Sequence, residues 1–579
     1  MKARKVCLLG AIAGLAFLFT AESSFGQVPP GRLLGSTERA AQETKTKQAI
    51  LNKLFEGKKK EQIEGEENVT PQAPAQPIDE GTRVLINSIT VEGVTAFKPE
   101  TISAITAPYE GKELSLRDFN DMTTAITDLY RSRGYVTSVA YLIPQKIENN
   151  TLRIAVAEGK LGNISVSGNK YFSDKLLMRY LDVKKDELFN YDVLRKDINY
   201  INEHPDRNAS VVLVKGAAPE TTDIDMKVED RMPFHINLGY NNYNSQYLNR
   251  NKFMVEAKAT NVWGRDHVVS GEFQIGATGL YKLYAARYLM PFDSRLKMGA
   301  SYIHVDQKLG GSVKDLEIKG DGDMIGLFYT YKWIDSPDVI MNTNVGFDYK
   351  EINNRILGDV YSRDSVRIAK AGFDLDIADM FYGRNIITQE FDFGLPEVLG
   401  GLKRKDSKAS RAGAGGQFFR SVTNAARVQT LPADLALMLK GSMQLTSDTL
   451  VASEQYNIGG FSTVRGYPVS EYAGDTGFST SGELYVPPYF IPKDMTVPFT
   501  KTSFYDALRL MVFFDWGLVH NNNPQVGEST TETLYSFGPA VRFDIPERMS
   551  VSFDYGFGIG QKASDGKKNR FYVEVRLFF

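Results

Sequence analysis

Cysteine is almost absent from this sequence of 579 residues, since Cys7 is the only one. No disulfide and no paired-cysteine site can therefore form within the chain. Charge of either sign is not in excess either, because 68 Lys and Arg residues are balanced by 70 Asp and Glu residues. A near-neutral chain lacks the basic domain that nucleic-acid binding usually needs, so we expect no nucleic-acid partner.

Motifs for catalysis, nucleotide binding and metal binding are also missing from the sequence. The five histidines are scattered without metal-ligand spacing, and neither a G-x-S-x-G motif nor a P-loop occurs. These absences argue against an enzyme. We expect no catalytic residues, no cofactor and no metal site.

Long apolar runs are missing except near the amino terminus, where one extends from Val6 to Thr20. It follows three basic residues and precedes small ones, which is typical of a secretory signal peptide cut near Gly26. A membrane anchor is the alternative, but the run is short for a membrane-spanning helix. We therefore expect residues 1–26 to be a signal peptide and the mature chain to be exported.

Residues 27–63 contain a candidate helix from Ser36 to Lys60, with a capping serine and a short apolar stripe. Residues 64–81 are rich in proline and acidic side chains and hold hardly any large apolar residue. Such a composition predicts an extended linker.

An internal repeat follows the linker. Residues 89–97 read ITVEGVTAF, and residues 164–172 read ISVSGNKYF. Each copy begins with an alternating strand, continues with helical spacing and ends with two more strands. Because the order β-α-α-β-β occurs twice, we expect two small α/β domains in tandem, at residues 82–159 and 160–231.

Alternation with period two replaces the helical spacing over residues 232–579. Strands such as residues 508–517 and 571–579 carry apolar and aromatic side chains on one face and polar side chains or glycine on the other. Both β-sandwiches and membrane barrels contain such strands. Export, the length of the region and charges in mid-strand favour a transmembrane β-barrel, for which this length suits about 16 antiparallel strands.

A glycine-rich loop in this region, residues 459–477, carries Arg465. Strand parity places Asp515 opposite the lipid-directed Phe514, and so in the lumen. A carboxylate there favours a guanidinium partner, because the planar fork of arginine matches it. The residues alone leave two alternatives open: a pair in a hydrated lumen worth about 1 kcal/mol, or a solvated surface arginine.

Two short motifs carry a resemblance to a known superfamily. Residues 464–467 read VRGY, and residues 513–517 read FFDWG. The motif residues are Val464, Arg465, Gly466 and Tyr467 in the loop and Phe513, Asp515 and Gly517 in the strand. With the two repeats and the terminal Phe579, they resemble the outer-membrane barrels that carry periplasmic POTRA domains. Within that superfamily, the chain is most similar to the transporters of two-partner secretion, the exporters of haemolysin and filamentous haemagglutinin.

The resemblance implies an order of parts: a plug helix, a linker, two POTRA domains and a 16-stranded barrel. It also implies that the VRGY loop is the sixth extracellular loop and reaches into the barrel to contact the F-x-D-x-G strand. The implied function is recognition of an unfolded exoprotein by the POTRA domains and its export through the barrel, including activation of a haemolysin or adhesin. An assembly factor that inserts barrels into the membrane is the alternative, and a passive porin is disfavoured by the repeats.

The resemblance also implies the partners of the chain. The exported protein would be large and β-helical, and would be bound through its amino-terminal secretion domain. The barrel-assembly machinery would read the aromatic Phe579 as a targeting signal, and lipid of the outer membrane would surround the barrel. Localisation in the outer membrane, with the amino-terminal domains in the periplasm, follows from these expectations.

Overall fold

The computed structural model describes residues 63–65, 83–336 and 338–579. The predicted signal peptide and plug helix, and the predicted linker beyond Gly65, lie outside the described residues. The chain divides near Pro233 into two compact units. None of the helices that the structure describes is long and apolar enough to cross a membrane.

The first unit contains both predicted α/β domains. Its strands are β1 (Ile63–Gly65), β2 (Val84–Ile86), β3 (Ser88–Glu92), β4 (Lys112–Leu114), β5 (Val139–Leu142), β6 (Thr151–Ala157), β7 (Lys160–Ser167), β8 (Arg207–Lys215) and β9 (Thr221–Asp230). Its helices are α1 (Pro99–Thr106), α2 (Leu116–Ser132), α3 (Asp174–Met178) and α4 (Tyr191–Asn202). One sheet has the order β3-β6-β5, the other has the order β1-β8-β9-β7, and β2 pairs with β4.

Each domain buries an apolar helix face against its own sheet. In the first, α2 begins with a capping box, in which Ser115 and Asp118 satisfy each other's backbone N–H groups. Its buried face, which includes Met122 and Ile126, packs in the core with Ile154 of β6. The core of the second domain includes Ile201 of α4, and the two cores confirm the two predicted mixed domains.

The glycine shared by the two copies of the repeat has a structural reason. Gly93 and Gly168 both adopt a left-handed backbone, with φ of +82° and +86°. A Cβ at either position would lie 2.4 or 2.6 Å from a carbonyl oxygen, that of Val156 or of Val228. Only glycine fits both constraints, so the repeated sequence marks a repeated backbone.

The junction of the predicted amino-terminal segment and the predicted linker pairs with the second domain. β1 lies parallel to β8, with Ile63 opposite Val211 and Gly65 opposite Leu213. The composition of the linker predicts extended chain, but the pairing was not predicted. An edge of this sheet therefore already accepts a short extended segment through main-chain hydrogen bonds.

The second unit is a closed antiparallel barrel of 16 strands, as the length of the region predicted. Its strands are β10 (Phe234–Asn241), β11 (Lys252–Val262), β12 (His267–Gly276), β13 (Tyr281–Pro291), β14 (Leu296–Lys308), β15 (Lys319–Asp335), β16 (Val339–Ile356), β17 (Asp359–Ala378), β18 (Gly383–Gly394), β19 (Phe419–Thr430), β20 (Ala436–Leu445) and, after the short loop strands β21 (Tyr456–Ile458) and β22 (Tyr472–Gly474), β23 (Thr476–Val486), β24 (Leu508–His520), β25 (Thr531–Ile545), β26 (Met549–Ile559) and β27 (Asn569–Phe578). A single turn of helix, α5 (Phe504–Ala507), precedes β24.

Pairing of the first and last strands closes the barrel. Asn237 of β10 lies opposite Phe578 of β27. Beyond β27, the backbone N–H of Phe579 donates to the carbonyl of Ile236 at 2.9 Å, and the side chain of Phe579 is exposed. The position of Phe579 at the seam is a structural fact, whereas its role in targeting stays a prediction.

Alternation along each strand gives the barrel an apolar outer face and a mixed inner face. On β24, Val512 and Phe514 are exposed on the outside, whereas Phe513 and Asp515 are buried inside. Asp515 therefore lies on the inner face, as its parity predicted. We call the end where β10 begins and β27 stops the entry end, and the other the far end.

Candidate functional site

The predicted loop lies inside the barrel at the far end. Residues 446–475, here called the docked loop, join β20 to β23 and form the sixth connection at that end. β21 and β22 pair as the stem of the loop, with Ile458 opposite Tyr472. Val464, Arg465 and Tyr467 are buried beyond the stem. The stretch predicted as a loop, residues 459–477, includes the tip and the first two residues of β23.

Arg465 contacts three carboxylates at once. Its Nε and Nη2 atoms donate to the two oxygens of Asp515 at 2.8 and 2.7 Å. The two residues therefore form a bidentate ion pair. Nη1 lies 3.0 Å from Asp554 of β26, and Nη2 lies 3.0 Å from Glu483 of β23. The side chain of Arg465 is 1% exposed and that of Asp515 is 0% exposed. The predicted pair of Arg465 and Asp515 is present. It is not a single pair in a hydrated lumen, however, because it is buried and shares Arg465 with two further carboxylates.

Further groups complete this cluster. The ring of Phe513 lies 3.4 Å from the guanidinium carbon of Arg465, a cation–π contact. Asp515 also accepts from the backbone N–H of Arg465 at 3.0 Å and from the hydroxyl of Ser481 at 2.6 Å. Arg542 of β25 holds both oxygens of Asp554 at 2.8 Å. Every carboxylate here therefore has a cationic partner, which a buried charge requires.

Glycines let the loop and the wall approach closely. A Cβ at Gly517 would lie 2.8 Å from a methyl of Val464, and one at Gly558 would lie 2.9 Å from the ring of Tyr467. Gly466 and Gly556 face each other, and a Cβ on Gly556 would lie 2.6 Å from the nitrogen of Gly466. The close approach explains the glycine at position 466 of the loop motif and at position 517 of the strand motif.

Tyr467 fixes the end of the motif. Its hydroxyl donates to the carbonyl of Ile559 at 2.9 Å. The hydroxyl of Tyr572 on β27 accepts from the N–H of Gly466 at 3.1 Å and donates to the carbonyl of Tyr467 at 3.1 Å. The structure thus brings all seven motif residues to one contact surface, formed by the loop tip and strands β23 to β27.

Replacing Gly556 with alanine should loosen the docked loop. The added methyl would meet backbone atoms, which cannot move aside as a side-chain end can, and such overpacking costs about 1–3 kcal/mol. We expect external protease to cleave residues 459–477 about tenfold faster, since this cost shifts the loop toward undocked conformations. Gly482→Ala on β23 is the matched control, because its Cβ would lie 3.6 Å from Leu439, an ordinary contact. Equal cleavage of the two variants would contradict the predicted clash.

A second arginine holds the base of the docked loop. Arg411, in the connection between β18 and β19, lies 2.6 Å from Asp475 and 2.8 Å from Glu528. It also donates to the carbonyl of Leu450 at 2.8 Å and is buried. Three connections at the far end are therefore tied together through one guanidinium.

Sequence reasoning missed part of this site. Glu483 and Asp554 carry the same parity signal as Asp515, because each alternates with outward-facing neighbours, and that signal could have placed them in the lumen. Arg411 gives no such signal, since it lies in a long connection without periodicity. Among the residues that the structure describes, no group of three or more His, Cys, Asp or Glu side chains could hold a metal ion.

The carboxyl of Glu471, in the docked loop, has a raised pKa. Burial raises the pKa of the Glu471 carboxyl, although donation from the N–H and hydroxyl of Ser564 acts in the opposite direction. The two oxygens of Glu471 accept from Ser564 at 2.6 and 2.7 Å. This contact ties the loop to the connection between β26 and β27.

Three family models match the chain. Residues 220–542 match the haemolysin secretion/activation protein ShlB/FhaC/HecB, residues 84–159 match the ShlB-type POTRA domain, and residues 160–231 match the surface antigen variable number repeat, a POTRA family. The heme/hemopexin transporter protein HuxB of Haemophilus influenzae (strain 86-028NP) is 22% identical over 494 residues, which cover 82% of this chain and 83% of that protein.

The fold is also similar to a solved structure. CdiB from Escherichia coli superposes with a TM-score of 0.72 at 18% identity, covering 94% of this chain and 99% of that one. The outer membrane protein assembly factor BamA of Buchnera aphidicola is 28% identical over 163 residues, only 24% of this chain and 25% of that protein. The assembly-factor alternative therefore corresponds to a distant relative.

Proposed function

We propose a route of export for this chain, which belongs to the haemolysin secretion/activation protein family ShlB/FhaC/HecB. Members of this family are two-partner secretion transporters that act with a secreted exoprotein. The chain is accordingly an outer-membrane transporter with periplasmic POTRA domains and a β-barrel. Because the chain enters the barrel from its POTRA domains, the entry end is periplasmic and the far end is extracellular.

The POTRA domains are the proposed receptor for the unfolded exoprotein. The pairing of β1 with β8 supports this step, because an edge of the second sheet already takes up extended chain. An unfolded β-rich segment would bind to such edges through main-chain hydrogen bonds, which place few demands on its sequence. The segment would be the amino-terminal secretion domain of a large β-helical partner.

The barrel is the proposed conduit, and the docked loop is the proposed element that shapes its lumen for export at the far end. The buried Arg465 cluster supports this step, because it ties the loop tip to the inner wall. No ATP is available in the periplasm, so folding of the exoprotein outside the cell would make its return unfavourable. The predicted plug helix, outside the described residues, would close the lumen at rest, and the barrel-assembly machinery would read Phe579.

Secretion by cells that produce this chain together with an exoprotein encoded beside it tests the proposal. We expect the exoprotein in the medium when the chain is present, and in the periplasm when the gene is deleted. The levels of unrelated outer-membrane barrels are the control, and they should not change. Unchanged secretion with falling barrel levels would instead favour an assembly factor.

A further inference from the structure

The connection between β23 and β24 is a folded element. Residues 487–507, here called the outer hairpin, lie at the periplasmic end of the barrel. Thr496 pairs with Ser503 in a β-bridge, and the N–H of Phe504 donates to the carbonyl of Met495 at 2.8 Å. The hydroxyl of Ser503 then caps α5 by accepting from the N–H of Asp506 at 3.0 Å. The element is therefore ordered by its own backbone.

The outer hairpin packs on the outside of the barrel wall. Its Val497 and Ala507 form a small core with Ile545 of β25. Ile545 has the same parity as Phe537, which is 48% exposed on the outer face, yet Ile545 is only 8% exposed because the hairpin covers it. The ring of Phe504 likewise lies 6.2 Å from that of Phe543, in the same outward row. The hairpin thus continues the lipid-directed face rather than the lumen.

Large apolar side chains of the outer hairpin are exposed. Phe499 is 96% exposed and Phe490 is 74% exposed, and Met495 is also exposed. Phe499 has a φ of +63°, an unfavourable conformation for a phenylalanine, and its carbonyl accepts from Arg548 at 2.8 Å. The strained backbone and the exposure of the ring to water both cost free energy. Burial of the ring in an apolar environment would offset these costs.

We propose that the outer hairpin is a membrane-inserting element whose occupant is phospholipid of the periplasmic leaflet. Phe490, Met495 and Phe499 would lie at the boundary between headgroups and acyl chains, next to the lipid-directed row of β25. Lipid is the expected occupant because the hairpin continues the lipid-directed row of β25. The hairpin carries two lysines, Lys493 and Lys501, and two acidic residues, Asp494 and Asp506. Its charges therefore balance, and binding should be apolar and insensitive to salt.

Spin labels on single cysteines test the proposal in the full chain, with Cys7→Ser as the background. In phospholipid vesicles, a nitroxide at Phe499→Cys should be more accessible to oxygen than to a water-soluble nickel complex, as in the apolar boundary of a bilayer. We expect the ratio to exceed that of a label at Tyr171→Cys, exposed on the second POTRA domain, by about threefold or more. A label at Phe537→Cys, on the lipid-directed face, is the positive reference, and Phe490→Cys is a second probe of the hairpin.

Three results would overturn the proposal. Ratios at both hairpin positions equal to that of Tyr171→Cys would mean that the hairpin lies in water. Low accessibility to both reagents would mean that a protein surface covers it. Ratios at the hairpin that fall at high salt would contradict apolar insertion.

Discussion

Arg465→Ala should stop most export of the exoprotein while leaving the barrel in the membrane. The substitution leaves Asp515 and Glu483 without the guanidinium that they share, inside a cluster with almost no exposure to water. Breaking a buried ion pair on one side costs about 3–5 kcal/mol. At about 1.4 kcal/mol per factor of ten, the ratio of docked to undocked loop should fall by at least about a hundredfold.

The barrel itself should survive this substitution. Its strands satisfy one another's backbone groups around the closed sheet, independently of any loop side chain. The undocked loop gains conformational entropy that the docked loop lacks. The substitution should therefore undock the loop and leave the barrel folded. We expect heat-resistant barrel in normal amount, export reduced about tenfold or more, and faster external cleavage within residues 459–477. Arg404→Ala, an exposed arginine of another far-end connection, is the control and should behave as the parent.

Two further substitutions separate the fork of Arg465 from its charge. Arg465→Lys should also impair export, because an ammonium cannot bind the two oxygens of Asp515 in parallel. Asp515→Ala should impair export less than Arg465→Ala, because Arg465 would keep Asp554 and Glu483. A single pair of Arg465 and Asp515, without the two further carboxylates, would instead give equal effects. Losses that add in the double variant would contradict coupling between the two residues.

Deleting residues 82–230 should abolish export and leave an inserted barrel. The deletion removes both POTRA domains and the sheet edges proposed to bind the exoprotein, whereas the barrel strands pair only with one another. These edges would bind the exoprotein through main-chain hydrogen bonds. We therefore expect the amount of exported exoprotein to fall more than about tenfold. The measurement is exoprotein in the medium, with the amount of heat-resistant barrel in the outer membrane as the control.

A second deletion, of residues 82–159 alone, tests which domain binds the exoprotein. Export should also fall if both domains contribute, and should persist if the sheet of the second domain is sufficient. Export at the parental level after the larger deletion would show that the POTRA domains are not the receptor.

Much of the fold follows from local pattern. Period two along residues 508–517 identified the face of Asp515, because a strand has only two faces and one was aromatic. The repeated glycine at Gly93 and Gly168 marked two equivalent backbones. Such features could be predicted because they depend on neighbouring residues along the chain.

Features that depend on register or on a distant partner could not be predicted. Parity places Glu483 and Asp554 in the lumen, but only the pairing of β23 to β27 brings them to the height of Arg465. Arg411 and the outer hairpin lie in connections without a period, where neither burial nor facing can be inferred. The resemblance carried by VRGY and FFDWG supplied the contact that pattern alone left open.

The facing glycines Gly466 and Gly556 have a consequence for how this site can change over time. A clash at most packed contacts can be relieved by a second substitution that makes the opposing side chain smaller. Here the opposing residue is already the smallest amino acid, so Gly556→Ala has no compensating exchange at position 466, and the reverse also holds. Genetic reversion should therefore restore the glycine itself, and neither position can gain a side chain while the loop tip stays docked against strand β26.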